Sequence, residues 1–171
     1  IDLTWDKVKG ATGYDVYWSY CNGKNNFNKL ANVPKSQKYA DKNLNNKREY
    51  KYFTVAYKMS GGKKVYLGRT NTVHVAMPYA AKTNVLKVTV NKTKANLAKG
   101  KTFKITKKVK LENPKKKALN HLTKKERFIT SNAKVATVSS AGVIKAVRKG
   151  TCTVYVMSEN GVCAKIKVTV K

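Results

Sequence analysis

The chain has 171 residues, of which 42% are hydrophobic and 26% charged, and its formal net charge is +29. That apolar share argues against disorder, and the length suits one or two small cores. No run approaches the roughly 20 apolar residues of a membrane-spanning helix, and no signal peptide or initiating Met opens the sequence, so it reads as a piece of a longer protein with any targeting segment elsewhere.

The first strand candidate is IDLTWDKV, with Ile1, Leu3 and Trp5 on one face, followed by a turn at KGATG. YDVYWSY alternates next and places Tyr14, Val16 and Trp18 opposite Tyr17. FNKLANV, QKYADKNL and YKYFTVAYKM continue the series, with Tyr50 and Tyr52 facing away from Phe53 and Val55. GG at 61–62 turns the chain into KKVYLGRTNTVHVAM. MPYAAKTN reads as a boundary, giving a first domain at 1–78, a short linker at 79–84 and a second domain at 85–171.

The second half repeats the pattern. VLKVTV puts Val88 and Val90 on one face, and TFKITKKVKL reads as one long strand with Phe103 and Ile105 inward. NPKKKALNHLTKKE is a polar excursion with room for one short helical turn. RFITS, KVATV, GVIKAV, TCTVYVMS and VCAKIKVTVK follow, with turns at Asn132, Gly142, Gly150 and ENG 159–161. Ala136 and Ala146 are small where two sheets about 10 Å apart leave little room. Strands recur throughout without a long run at helical period, so the fold class is all-β, a sandwich or barrel.

Basic residues are 33 Lys and 4 Arg. Residues 1–78 carry 14 basic and 5 acidic side chains, net +9, and residues 79–171 carry 23 and 3, net +20. Lysine attracts anions diffusely, whereas specific phosphate or base readout favours arginine's planar fork. Cys152 faces inward with Val154 and Val156, whereas Cys163 faces outward with Lys165 and Lys167. Opposite faces and an odd cysteine count with Cys21 argue against a disulfide framework.

Two resemblances rest on these residues. LTWDKVKGATGYDVYW, Leu44 to Tyr50 and YKYFTVAYK resemble a fibronectin type III domain, with Leu44 to Tyr50 matching its tyrosine corner and Trp5 its core tryptophan. That family's first strand belongs before Ile1 and is absent here. SNAKVATVSSAGVIKAVRKGTCTVYV and NGVCAKIKVTV resemble a group 2 bacterial immunoglobulin-like domain. Together the resemblances imply two tandem immunoglobulin-like β-sandwiches in a surface protein of a Gram-positive-type gut bacterium.

Catalysis finds little support. His74 is out of phase with Val73 and Val75 and reads as solvent-facing, and His121 sits in the lysine-rich excursion. Nothing local supports a Cys21–His74 pair. No D-x-D loop, C-x-x-C or H-x-x-x-H spacing suggests a metal or cofactor, and Asp2, Asp6 and Asp15 read as solvated partners of nearby lysines. The candidate site is a basic patch of Lys107, Lys108, Lys110, Lys115, Lys116, Lys117, Lys124, Lys125 and Arg127. It suits anionic wall polymers or glycans, or serves only as a solvated loop. The tyrosines of the first half suit cross-strand pairing, or contact with a sugar or protein.

The sequence therefore predicts a monomeric, non-enzymatic, secreted or cell-surface module that spaces, presents or anchors its neighbours, with lysines turned to anionic cell-wall polymer or glycan. The alternative is an adhesin contacting a host surface protein or glycan directly. Nucleic-acid binding, with so little arginine, is expected to be nonspecific.

Overall fold

Period-two alternation becomes strand from end to end, and every regular element among the described residues is a β-strand. The computed structural model describes residues 1–21, 24–119 and 126–171. It divides into two units, Ile1–Ala81 and Lys82–Lys171.

In the first unit β1 (Asp2–Thr4) pairs antiparallel with β4 (Lys38–Ala40). The larger sheet contains β2 (Gly13–Tyr20), β3 (Asn28–Pro34), β5 (Glu49–Ser60) and β6 (Lys63–Arg69) in the order β3-β2-β5-β6. β7 (Val73–Ala76) pairs with the start of β5. Leu3, Val16, Val33, Tyr50 and Tyr52 form the buried core, with Trp5, Trp18 and Leu44 against it. Tyr50 and Tyr52 share a face, as their parity predicts, and that face is the interior. The Tyr50 hydroxyl accepts a hydrogen bond from the Asn45 amide at 2.9 Å. A side chain thereby satisfies a backbone donor at the corner entering β5, the contact expected from the Leu44-to-Tyr50 spacing.

In the second unit, β8 (Lys82–Thr83), β9 (Val85–Val90), β12 (Lys107–Leu111) and β13 (Lys117–Ala118) form two short ladders, β12-β9 and β13-β8. Residues 82 and 83, expected in a linker, are thus strand residues. A four-stranded sheet runs β10-β18-β17-β14, from β10 (Lys94–Leu97), β14 (Glu126–Thr130), β17 (Gly150–Ser158) and β18 (Cys163–Val170). β11 (Thr102–Lys104), β15 (Ala136–Val138) and β16 (Val143–Ala146) form a third sheet, β11-β16-β15. Ile144 of this sheet and Val154, Val156, Ile166 and Val168 of the four-stranded sheet are fully buried in the core of the unit. Ala136 lies opposite Ala146 in the ladder, both buried, where larger side chains would force the layers apart. Gly142 adopts φ 75°, and a Cβ there would meet the Phe128 ring at 2.9 Å, so both backbone and packing require glycine.

TFKITKKVKL is two strands, not the single long one expected. β11 pairs with β16, but β12 pairs with β9. Asn91 holds the break: its amide donates to the Lys104 carbonyl at 3.2 Å, and its side-chain oxygen accepts from the Thr106 amide at 3.1 Å. No helix forms among the described residues of the polar excursion, and residues 117 and 118 are strand.

Candidate functional site

Strand pairing in the second unit places lysines directly opposite one another. Lys87 faces Lys110 across β9 and β12, Lys94 faces Lys167 across β10 and β18, and Lys82 faces Lys117 across β8 and β13. Opposed residues share a face with Cβ atoms about 5 Å apart, where like charges repel. Lys87, Lys94, Lys110, Lys117 and Lys167 are all exposed. Among the nearby acids, Glu112 accepts from the Asn84 amide at 3.0 Å, and Glu159 is buried. The ladders therefore concentrate positive charge without interleaving negative charge.

The expected patch is only partly assembled. Lys108, Lys110, Lys115 and Lys117 are exposed, whereas Lys116 is half-buried. Lys107 is half-buried, with its ammonium 5.4 Å from the centre of the Phe128 ring. Arg127 is half-buried, and burial lowers its pKa while the Glu159 carboxylate partly restores it. Lys124, Lys125 and His121 lie outside the described residues. Sequence reading missed Lys82, Lys87, Lys94 and Lys167, because their opposition depends on register between distant segments.

The first unit handles charge differently on the outer face of its large sheet. Asp15, expected to be solvated, is fully buried there. Lys64 approaches at 2.8 Å, Lys29 at 2.9 Å and the Asn32 amide at 2.7 Å. Burial would raise the carboxyl pKa, but the hydrogen bonds from Lys64, Lys29 and Asn32 outweigh it and hold it below the ordinary value. The lysine stems bury the carboxylate while their heads stay near water.

Beside this cluster an open cavity of about 560 Å³ is lined by Tyr17, Asn25, Phe27, Phe53, Arg69 and Thr72. Phe53 stacks on Tyr17 with centroids 4.9 Å apart, and the Arg69 guanidinium lies 3.9 Å from its centroid. Lys51, 5% exposed, donates from Nζ to the Lys24 carbonyl and to Asn25 Oδ1.

His74 lies opposite Lys51 in the β5–β7 ladder. It is buried rather than solvent-facing, with Nδ1 3.4 Å from Cys21 Sγ. A strand position out of phase with the core was read as open, but this sheet face is itself covered. Lys51 lies beneath the 24–27 segment. The Cys–His pair that nothing local supported is brought together across the start of β5, which pairs with the end of β2 on one side and with β7 on the other. Neither residue lines the aromatic cavity. None of the three cysteines is in a disulfide, and no group of three or more metal-ligating side chains occurs among the described residues.

Both units are all-β, and the second buries one apolar interior between layers in the immunoglobulin-like sandwich arrangement. The family model "Bacterial Ig-like domain (group 2)" matches residues 84–170, just over half of the chain. The chain belongs to this bacterial Ig-like family. No curated protein matches. Among solved structures, domains 4 and 5 of the S-layer protein SbsC align at 17% identity and TM-score 0.42, covering 69% of this chain and 64% of that one. A larger SbsC fragment, rSbsC(31-844), aligns at 17% identity and TM-score 0.43, covering 96% and 21%. A C-terminal intimin fragment, solved with the intimin-binding domain of its translocated receptor, aligns at 13% identity and TM-score 0.30, covering 99% and 57%. The chain thus spans less than two thirds of each of these, and overlaps this loose say nothing about function. Among the described residues no helix is long and apolar enough to cross a membrane.

Proposed function

We propose that the chain is a non-enzymatic, extracellular surface module of a bacterium that spaces or anchors neighbouring domains through contact with an anionic wall polymer. Family membership supports the bacterial surface setting. The Tyr50–Asn45 contact supports a fibronectin type III-like first module, joined in tandem to the Ig-like second. The single observation that carries the polymer reading is the opposition of lysines across three ladders of the second unit. Opposed like charges cost folding free energy, and a polyanion laid over them offsets that cost.

The test is a titration of the protein with poly(glycerol phosphate) against neutral dextran at low and moderate salt. Binding to the phosphate polymer alone, falling steeply with salt, is the expected result. Equal binding to dextran, or none to either, refutes the reading. A second reading, direct contact with a glycan or host protein, is favoured by the Phe53–Tyr17–Arg69 cavity. It predicts binding that survives about 0.3 M salt and is lost in Phe53→Ala.

A further inference from the structure

We propose that Cys21 is a modification site, a thiol primed by His74 to exchange with a small disulfide such as cystine. It would then carry a mixed-disulfide adduct on the outer face of the first unit's large sheet. The site lies in a different unit from the opposed lysines and does not rest on the polymer reading.

Placement of the two side chains carries the inference. Sγ and Nδ1 lie 3.4 Å apart, within hydrogen-bond range for sulfur. The ring is 5% exposed and fixed in a β-ladder, whereas the cysteine is half-exposed at the end of β2. A held base beside a reachable thiol is the arrangement that activates cysteine. The surrounding charged and titratable groups come from several elements. Lys51 and Glu49 follow from β5, where the Glu49 carbonyl accepts from the Cys21 amide at 3.0 Å. Lys24 belongs to the covering segment. Tyr52, on β5, donates from its hydroxyl to the Asp41 carboxylate at 2.8 Å.

The exchange balances without a further oxidant. Cys21 passes its proton to His74 Nδ1, and the thiolate attacks one sulfur of the small disulfide. The new S–S bond forms as the old one breaks. The departing thiolate takes the proton back from His74, so one disulfide is consumed and one is made.

Alkylation of the whole chain with iodoacetamide from about pH 5.5 to 8.5, mapped by mass spectrometry, tests this. Cys21 is expected to label with a midpoint at least about one pH unit below that of free glutathione. Cystine is expected to add to Cys21 ahead of Cys163. Folded His74→Gln should return Cys21 to the glutathione profile. If that variant misfolds, the wild-type chain decides alone. Cys21 labelling in step with glutathione, or cystine adducts without preference for Cys21, overturns the proposal, as does a folded His74→Gln chain with an unchanged profile.

Discussion

In the first unit two lysines, Lys29 and Lys64, converge on one buried carboxylate, Asp15. In the second, Lys87 faces Lys110 and Lys94 faces Lys167. Both units use period-two strands around an apolar interior, so the sandwich itself dictates neither arrangement. The outward faces are free to differ, and they do: one satisfies positive charge internally, the other leaves it for solvent and whatever solvent brings. The net charges, +9 and +20, have the same origin, because the second unit has few carboxylates to spend on pairing.

This contrast can be broken by perturbing each unit separately. The largest expected effect lies in the second core. Ile144→Ala should cost about 3 kcal/mol by leaving a cavity in a fully buried site, read by hydrogen exchange of β16 and β17. In the first unit Asp15→Asn should cost about 2 kcal/mol. A buried pair loses one partner, but Lys29's side chain is 45% exposed, so water screens part of the loss. Both tryptophans lie in the first unit, so intrinsic fluorescence during denaturant unfolding reports this change. Because the folded Asp15 carboxyl is held below its ordinary value, its contribution is complete above about pH 4 and fades as pH falls through the folded pKa. Acid should therefore weaken the wild-type first unit more than the Asp15→Asn unit. Tyr50→Phe should cost about 1 kcal/mol by leaving the Asn45 amide without its acceptor. Its measure is the same fluorescence transition. The smallest effect has the opposite sign: Lys87→Gln should stabilise the second unit by roughly 0.5 kcal/mol by relieving like-charge opposition to Lys110.

Much of the fold was legible because alternation and turn residues act locally. Tyr50 and Tyr52 share one face by parity, and Gly142 and Asn132 turn the chain where expected. Asn132 closes its turn by accepting from the Lys134 amide at 3.0 Å. What escaped depends on distant segments. The break in TFKITKKVKL is held by Asn91, which precedes it by a full strand and turn. Asp15 and His74 occupy positions that parity assigns to the outer face, and parity does not say what covers that face. Lysine stems and the 24–27 segment cover it. The candidate site was legible as excess lysine but not as opposed pairs, since a lysine run marks charge without marking register. Arg127 shows the converse, being in the run by sequence yet half-buried in the fold.

The most direct measurement combines stability and polymer binding in one variant, Lys87→Gln/Lys110→Gln/Lys94→Gln/Lys167→Gln. If these lysines are kept for an anionic partner, the variant unfolds at equal or higher denaturant concentration while its affinity for poly(glycerol phosphate) and the salt dependence of that affinity both fall. A variant that loses stability, or binds the polymer as the parent does, contradicts that account.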